Sequence, residues 1–389
     1  MKFRLGREEE YTTIRRLWDQ AFGSEEPWTG WYFSQHYRPE RTWVGVDQGK
    51  IVAQAHLLPH RLMLRGALRR SAYFVGVCVE EKLRGTGIGR DLMASALAEL
   101  QRTGVGFSVL QPRWPEFYRK LGWDYGYSRQ RYELPLPEVR RRLPADRPEL
   151  DWRADERNCT VLMELYDAFM TGRHGYAARV QTDWKKLLAD HCGEGGRVGV
   201  LYRAGRPVLY ALYHRLDHIL RVRELVWRDP QWVDAVWEPL LAWGEAGGAD
   251  TLTWDDPAGE PVSGLFPDSR REPFLMGRLT DLRTVLATIA YPVEVAADLT
   301  LRVEDPLAPW HQETFRWTIR QGKGLLQSSP ADDAPGLSLS IGALSQLVFG
   351  EYPARQILAP GGASNCREED AALLERIFPA CRNFISEYF

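Results

Sequence analysis

A short glycine-rich segment, residues 84–90 (RGTGIGR), has the residue types and spacing of an anion-binding loop. It follows an apolar, β-prone run from Tyr73 to Val79 and precedes a stretch whose apolar residues recur at helical spacing. Glycines here leave backbone N–H groups uncovered at the start of a helix. The orphan donors and the helix dipole there both favour negative charge. The segment therefore predicts a diphosphate site.

Two look-alike motifs do not fit this segment. A P-loop would need Lys and then Ser or Thr where Arg90 and Asp91 stand, and a dinucleotide fingerprint would need a glycine at Arg90. The pattern that fits is Arg-x-x-Gly-x-Gly, with Arg84, Gly87 and Gly89. After a strand and at the start of a helix, this pattern resembles the acyl-CoA loop of the GCN5-related N-acetyltransferases. The alternative is a turn that only caps a helix.

Composition limits the class of protein. A chain of 389 residues predicts two or three domains, and its 44% hydrophobic and 26% charged residues are typical of a globular protein. The net charge of −2 gives no electrostatic argument for nucleic acid. No apolar run approaches the roughly 20 residues of a membrane helix, and the N-terminal segment lacks the apolar core of a secretory signal. We therefore expect no nucleic-acid or membrane partner.

Cysteine and histidine usage argues against disulfides and metals. The five cysteines are an odd count without a C-x-x-C pair, and the eight histidines show no ligand spacing. This pattern fits a reducing cytoplasm and predicts no metal site.

The order of elements predicts three domains. Residues 1–135 form an α/β unit with a Trp- and Tyr-rich loop at 28–37 and a closing strand at 125–134, and a Pro- and Arg-rich linker follows at 136–148. Residues 149–288 repeat the order of the first unit, but no glycine loop follows Pro230. Residues 289–389 have the texture of an α+β domain. We expect the second unit to be a degenerate copy that cannot hold a diphosphate in the same way.

Three features together resemble the enhanced-intracellular-survival (Eis) type of N-acetyltransferase. They are the loop at 84–90, the segment 111–123 with its Pro-Glu-Phe-Tyr sequence, and a chain that ends in Glu-Tyr-Phe. The stretch 337–351 adds a likeness to sterol-carrier proteins. The resemblance implies tandem α/β acetyltransferase domains, the second degenerate, followed by a sterol-carrier-like α+β domain. It also implies a homohexamer.

The same resemblance assigns roles to individual residues. It makes the hydroxyl of Tyr118 the general acid and the α-carboxylate of Phe389 the general base, at the end of a docked apolar tail. A departure concerns Arg113, where many relatives have a serine. The residues that the resemblance places on acetyl-CoA are Val77, Cys78, Val79, Arg84, Gly85, Thr86, Gly87, Ile88, Gly89, Arg90, Arg113 and Trp114.

The chemistry of these groups sets conditions on the reaction. Attack of an amine on a thioester needs a neutral amine and a proton for the leaving thiolate. A thiolate resembling Cys has a pKa of about 8.5, so a tyrosine with a pKa of about 10 donates to it only when its surroundings help. A free α-carboxylate has a pKa of about 3.5 and is a weak base unless it is buried.

Aromatic and acidic residues after the first helix suggest an acceptor site. Trp28 and Trp31 could hold a cation on their ring faces, and Asp19 and Glu25 could pair with further amino groups. Asp255 and Asp256 at a strand end are weaker candidates for the same wall. The alternative is that the aromatic residues belong to the core or to a subunit interface.

The function expected is transfer of acetyl from acetyl-CoA to a primary amine of a small polycationic acceptor resembling an aminoglycoside. Direct attack is favoured over a covalent enzyme intermediate, because Cys78 has no histidine partner in the sequence. The alternatives are a non-catalytic acyl-CoA or lipid-binding sensor or scaffold, and an acyltransferase that acts on protein lysines.

Overall fold

The computed structural model describes residues 1–26, 28–144, 151–155, 158–256, 266, 269–329, 336–359 and 367–387. These residues fall into two compact units. The first unit combines residues 1–127 with residues 274–381, and the second combines residues 128–273 with residues 382–387. The chain therefore leaves the first unit, forms most of the second and then returns.

The strands formed by the described residues are, in chain order, β1 Lys2–Leu5, β2 Thr42–Asp47, β3 Lys50–Leu64, β4 Ala67–Val79, β5 Phe107–Leu110, β6 Asp124–Tyr125, β7 Ser128–Pro135, β8 Asp151–Ala154, β9 Tyr176–Ala177, β10 Arg197–Arg203, β11 Arg206–Leu216, β12 Ile219–Trp227, β13 Thr251–Asp256, β14 Arg270–Pro273, β15 Met276–Leu279, β16 Ala297–Glu304, β17 Thr314–Arg320, β18 Lys323–Ser328 and β19 Leu337–Ser340. The helices are α1 Tyr11–Phe22, α2 Trp28–Gln35, α3 Ile88–Arg102, α4 Pro115–Arg119, α5 Leu136–Arg142, α6 Cys159–Met170, α7 Gln181–Gly193, α8 Val233–Ala246, α9 Leu282–Thr288, α10 Ile341–Phe349, α11 Ala354–Ile357 and α12 Glu368–Ile377. Among the helices of the described residues, none is both long enough and apolar enough to cross a membrane.

The main sheet of the first unit has the strand order β1-β2-β3-β4-β5-β15-β6. Strands β1 to β4 are antiparallel neighbours, whereas β4 and β5 run parallel. A parallel pair needs a crossover, and α3 supplies it. One face of α3 packs into the core through apolar residues at helical spacing, which are Leu92, Met93, Ala96, Leu97 and Leu100.

The predicted end of the first unit is wrong. Strand β7, expected within a closing strand at 125–134, pairs with β13 and β14 in the sheet of the second unit. Strand β15, from much later in the chain, lies between β5 and β6 instead. Neither β7 nor β15 has a local sequence feature that specifies its pairing partner. Tertiary packing therefore decides which sheet each strand joins.

The predicted linker at 136–148 is wrong in its first half. Residues 136–142 form helix α5, with Pro137 in its first turn, where the missing N–H costs no hydrogen bond. Leu136 and Val139 are buried, so this helix is part of the second unit's core. Residues 145–150 lie outside the described residues.

The sheet of the second unit has the order β14-β7-β13-β12-β11-β10-β8. Strands β10, β11 and β12 are antiparallel, and β12 and β13 are parallel, connected through α8. This repeats the succession of β2, β3, β4, α3 and β5. The expected tandem of two acetyltransferase-type α/β folds is therefore confirmed.

A third sheet, with the order β18-β17-β16-β19, belongs to the first unit, and it contacts α9 through β18 and α10 through β19. This part has the expected α+β texture. Arg65, in the turn between β3 and β4, is buried and donates to the carbonyls of Leu347, Val348 and Pro379 at 2.7, 3.0 and 2.8 Å. The bonds to Leu347 and Val348 satisfy C-terminal carbonyls of α10, which otherwise lack intrahelical partners.

Candidate active site

Strand β4 is distorted by a bulge near the site. Its register with β3 shifts between Gln54 and His56, and Gly76 at the shift has φ +63°. A Cβ on Gly76 would lie 2.2 Å from the ring of Trp18, so both conformation and space require glycine. Sequence reasoning missed this residue, although a single glycine inside an apolar strand is a known signal for a bulge.

The edge of β4 beyond the bulge is the candidate pantetheine strand. The parallel register of β4 with β5 runs from Ser71 to Phe74, so residues 75–79 extend past this pairing. Val77, Cys78 and Val79, the residues expected to contact the cofactor, all lie in this extension. Backbone groups on such an edge can pair with an extended amide-containing ligand as a further strand would.

The loop after β4 has the conformation that its glycines allow. Gly85 and Gly87 have φ +78° and +93°, and a Cβ at either position would meet nothing within 4 Å. Conformation rather than space therefore requires glycine at both positions. Thr86 Oγ1 donates to the carbonyl of Leu83 at 2.7 Å, which fixes the turn between them.

Backbone N–H groups of the loop are available to a ligand. The first helical bond of α3 runs from Asp91 N to Gly87 O at 3.1 Å. Within the described part of the chain, the N–H groups of residues 85–90 have no acceptor. The guanidinium groups of Arg84 and Arg90 are exposed on either side, and they donate to the carbonyls of Val79 and Pro306 at 3.3 and 3.0 Å. The loop thus offers donors and positive charge to a diphosphate.

Tyr118 lies beside this strand and loop. It is half-buried on α4, which starts at Pro115, and it packs with Val79 and Ile88 against the same core. Burial, with a smaller effect from the Cys78 thiol, raises the pKa of Tyr118 to about 12. Tertiary structure therefore brings together the strand, the loop and the candidate acid, and the hydroxyl is protonated at neutral pH.

Cys78 has the environment of a packed thiol. It is buried, and its Sγ donates to the carbonyl of Leu17 at 3.8 Å. Burial raises its pKa to about 12, although the charge of Arg84 opposes this. Because the thiolate is the nucleophilic form, this environment disfavours a covalent acyl-enzyme.

Arg113 and Trp114 precede α4 and are both exposed. The indole of Trp114 is 71% accessible, and its carbonyl accepts from Phe117 N at 3.1 Å at the start of the helix. A flat, exposed ring of this kind can stack on a planar group. Their role in cofactor binding stays a prediction.

The predicted aromatic loop at 28–37 is wrong in part, because residues 28–35 form helix α2. Tyr32 and Phe33 are core residues, as the alternative interpretation expected. Trp28 is half-buried and stacks on Tyr32 with centroids 5.7 Å apart, and half-buried Trp31 contacts the ring of His36. Trp28 and Trp31 thus keep partly exposed surface that an acceptor could contact.

The candidate acidic residues differ in their availability. Arg15 donates from Nε to Asp19 at 3.0 Å and also forms an ion pair with Glu26, so one cation serves two carboxylates. The side chain of Glu25 is exposed. In the second unit, Asp255 pairs with Arg129 at 3.1 Å and with two further arginines, while Asp256 is buried. Glu25 is therefore the most available of these carboxylates.

Two further predictions concern the general base and the absence of a metal site. Phe389, the proposed base, lies outside the described residues. No group of three or more His, Cys, Asp and Glu side chains that could hold a metal occurs among the residues described.

In the second unit, the turn after β12 corresponds to the glycine-rich loop at residues 84–90, but it is stabilised by its own hydrogen bonds. After β12, Asp229 Oδ1 accepts from Gln231 N at 3.0 Å, and Trp232 N donates to Asp229 O at 3.2 Å. Pro230 between them has no N–H. The N–H groups of Gln231 and Trp232 are therefore satisfied within the chain and that of Pro230 is missing, which gives a physical reason why this copy is degenerate.

Comparison with known proteins identifies the domain types. Residues 2–126 match the family model of the acetyltransferase (GNAT) domain, and residues 282–386 match that of the sterol carrier protein domain. An uncharacterised N-acetyltransferase of Streptomyces coelicolor is 24% identical over 356 residues, which cover 79% of this chain and 78% of that protein.

Solved structures share the fold over the whole chain. A GCN5-related N-acetyltransferase from Anabaena variabilis aligns with a TM-score of 0.83 at 21% identity, covering all of both chains. One from Kribbella flavida gives 0.81 at 22% identity and covers 100% of this chain and 98% of that chain. Eis1 from Mycobacterium abscessus gives 0.77 at 16% identity and covers all of both chains.

The first unit thus carries an acetyltransferase (GNAT) domain, a class of enzyme domain whose acetyl donor is acetyl-CoA. More narrowly, the chain combines this domain with a sterol carrier protein domain at residues 282–386, and its fold is similar to that of Eis1 over the whole length. The recognition made from the glycine loop, the Pro-Glu-Phe-Tyr segment and the chain end is confirmed at this level.

Proposed function

We propose that the protein transfers acetyl from acetyl-CoA to a primary amine of a small polycationic acceptor resembling an aminoglycoside, by direct attack, with Tyr118 as general acid and the carboxylate of Phe389 as base. The observation that carries this proposal is the row of N–H groups at residues 85–90 beside the extended edge of β4, with Tyr118 packed against both. Acetyl-CoA would supply the activated acetyl group.

The residues present fit this co-substrate. Diphosphate oxygens would accept from the N–H groups of the loop and from Arg84 and Arg90, and the pantetheine amides would pair with residues 77–79. The glycines of the loop allow close approach of these groups.

The hydroxyl of Tyr118 would donate a hydrogen bond to the sulfur as negative charge develops there. The pKa of Tyr118 is about 12, whereas that of a cysteine-like thiol is about 8.5. Complete proton transfer from the tyrosine to the thiolate is therefore unfavourable by about 3.5 pKa units, or about 5 kcal/mol. The hydroxyl therefore contributes mainly by hydrogen bonding, unless positive charge from the bound acceptor lowers its pKa.

The proton of the attacking amine needs an acceptor. The buried thiol of Cys78 is unsuited, because its pKa is raised to about 12 and it already donates to Leu17 O. The family resemblance offers the α-carboxylate of Phe389 instead. A carboxylate near the ammonium would also bind it before the proton leaves.

The acceptor would be a polycation because exposed Glu25 and the partly exposed rings of Trp28 and Trp31 lie on neighbouring turns. An aromatic face holds a desolvated cation by ~0.5–2 kcal/mol. Asp19 would contribute less, since Arg15 already neutralises it.

Assembly and location belong to the same proposal. We expect a homohexamer in a reducing cytoplasm, and the four described cysteines, Cys78, Cys159, Cys192 and Cys381, are free thiols. Mass photometry at micromolar concentration should show one species of six times 44.6 kDa, and a monomer would remove the hexamer.

The test of function is CoA release with a panel of polyamines, aminoglycosides and lysine peptides, measured above hydrolysis without enzyme. Turnover with the small polycations supports the proposal, and turnover confined to peptides would favour protein lysines instead. Acetyl-CoA binding without turnover of any amine would favour a sensor or scaffold.

The base is tested by extending the chain after Phe389 with a short neutral tag, since an extension removes the α-carboxylate. We expect loss of turnover with retained acetyl-CoA binding. A fully active tagged protein would remove the base assignment and leave the enzyme class intact.

A further inference from the structure

A buried ion pair connects β15 with the turn that follows β16. Arg278 donates from Nη2 to both carboxylate oxygens of Asp305 at 2.7 Å, and both side chains are fully buried. Asp305 lies in the part of the chain that matches the sterol carrier protein domain. Both residues belong to the first compact unit, as Tyr118 does. The pair therefore ties this part of the chain to the main sheet of the same unit.

Arg278 also contacts the turn that ends the helix of Tyr118. Its Nη1 donates to the carbonyl of Leu121 at 2.7 Å, and its guanidinium lies 4.9 Å from the ring of Trp123. Leu121 N and Trp123 N both donate to the carbonyl of Tyr118, at 3.0 and 3.1 Å. Gly122 allows this approach, because it has φ +87° and a Cβ there would lie 1.9 Å from Arg278 Nη1. The Leu-Gly-Trp sequence after α4 therefore anchors Tyr118 to Arg278.

Asp305 also fixes a turn that contacts the diphosphate loop. Its Oδ1 accepts from the N–H groups of Leu307 and Ala308, both at 2.9 Å. Within this turn, the carbonyl of Pro306 accepts from Arg90 Nη2 at 3.0 Å. Leu307 is buried in the core cluster that contains the apolar face of α3. The carboxylate thus holds in place the carbonyl that orients Arg90.

The carboxylate of Asp305 stays charged although it is buried. Leu282 N donates to His311 Nε2 at 3.2 Å, so the ring proton lies on Nδ1, which donates to Asp305 at 2.8 Å. Burial alone would raise the pKa of Asp305, but the hydrogen bond from His311 and the charge of Arg278 lower it to about 2. A buried ion network is an expensive way to gain stability compared with apolar packing, whereas its bond directions fix one geometry. This difference favours a positioning role.

We infer that Asp305 is a positioning residue that sets the place of Tyr118 relative to the diphosphate loop, and this inference rests on the proposed function, which makes Tyr118 the acid. One arm runs through Arg278 to the turn after α4, and the other runs through the carbonyl of Pro306 to Arg90. One buried carboxylate therefore supports both the acid and a diphosphate ligand. A displacement of about 1 Å at a catalytic group costs roughly 100-fold in rate, so a rigid common support matters.

Arg278→Lys tests the arm that leads to Tyr118. Lysine keeps a cation beside Asp305, but its ammonium group does not reproduce the planar fork that bonds Asp305 and Leu121 together. We expect kcat in steady-state CoA release to fall about 10- to 100-fold, while the Kd for acetyl-CoA stays within about twofold. In the Tyr118→Phe background the same substitution should cost less than about twofold in kcat, because the hydroxyl that it positions is already absent. A purely structural role would lower kcat equally in both backgrounds.

Pro306→Gly tests the arm that leads to Arg90. Pro306 is exposed, so glycine at this position leaves the core intact and loosens the backbone that carries the carbonyl. We expect the Kd for acetyl-CoA, measured by isothermal titration, to rise about three- to tenfold, with kcat at saturation within about twofold. In the Arg90→Ala background, Pro306→Gly should change this Kd less than about twofold.

The matched controls are Arg283→Lys and Pro353→Gly, at exposed positions of the same unit, and both should keep kcat and Kd within about twofold. Full kcat in Arg278→Lys, or an equal loss in both backgrounds, overturns the inference; if Tyr118→Phe has lost turnover, the proposed function stands. Full turnover in Tyr118→Phe overturns the acid and the inference together. An unchanged Kd for acetyl-CoA in Pro306→Gly also overturns the inference, and this measurement decides alone if Arg278→Lys does not fold.

Discussion

The two acetyltransferase-type units share their strand order and differ in one loop. In the first, Gly85 and Gly87 adopt positive φ and leave consecutive N–H groups open. In the second, Asp229 caps the turn and Pro230 lacks an N–H. Both central strands carry a register shift, at Gln54–His56 in β3 against β4 and at Leu212–Tyr213 in β11 against β12.

This comparison shows that the fold supplies the strand edge but not the anion site. A diphosphate is held by free donors, and the supply of free donors depends on a few loop residues. When the donors are satisfied internally, the same architecture is free for another task, and here its central strand bonds to residues 382–387.

We expect the largest effect on kcat when the general acid, Tyr118, is removed. Only the first unit is expected to contain such an acid. Tyr118→Phe should lower kcat by about 10²- to 10⁴-fold with little change in acetyl-CoA affinity, because the ring packing is kept and only the hydroxyl is lost. Steady-state CoA release and equilibrium binding measure the two quantities. Tyr202→Phe, in the second unit, is the control and should keep activity within twofold. Unchanged turnover in Tyr118→Phe would remove the acid role.

Acid sensitivity should be greater in the second unit. Burial lowers the pKa of His191 to about 4 and that of His214 to about 3, whereas the first unit has His56, with a pKa lowered to about 3. The unfolded chain takes up protons below about pH 6.5 and the folded chain does not, so stability falls as pH drops from 6.5 towards 3 to 4. At pH 5 each histidine costs about 2 kcal/mol.

Hydrogen exchange at pH 7 and pH 5, corrected for intrinsic rates, measures this difference by unit. His214→Gln should flatten the pH dependence of the second unit, and His218→Gln, at an exposed position of the same unit, should not. Equal loss of protection in the two units would contradict the assignment.

A substitution at Gly87 tests whether the backbone conformation of the glycine-rich loop is needed to hold the diphosphate. Gly87→Ala should weaken acetyl-CoA binding about tenfold, since alanine at φ +93° is strained by about 1–2 kcal/mol and the loop will shift to relieve it. Isothermal titration measures the affinity. Gly248→Ala is the matched control in the second unit, where φ is +84° and nothing lies within 4 Å. Equal affinity of the two variants would show that the loop does not hold the diphosphate.

The smallest effect is expected at Cys78. Cys78→Ala should change kcat less than threefold, because a buried thiol whose pKa is about 12 supplies little thiolate at neutral pH. Burst kinetics would check the same point, since direct attack gives no burst of an acyl-enzyme. A loss of turnover comparable to that of Tyr118→Phe would indicate covalent catalysis.

Local features were readable from the sequence. The helical spacing of apolar residues after Gly87 predicted α3, and strand β2 was predicted with its observed bounds. The spacing of the glycines identified the loop before α3. These features depend on backbone conformation within a few residues, which residue type controls directly. The cofactor loop and the class of enzyme therefore followed from the sequence.

Long-range partners were not readable. The exchange of β7 and β15 between sheets, the sharing of Arg15 by Asp19 and Glu26, and the helical form of residues 28–35 depend on packing. Tertiary structure also decided that Arg179 and Glu224 meet Ser386 and Glu387, far away in sequence. A charge that loses its water on burial needs an oppositely charged or hydrogen-bonding partner. That loss of water occurs only when the chain has folded around the charge, so the sequence alone does not reveal the partner.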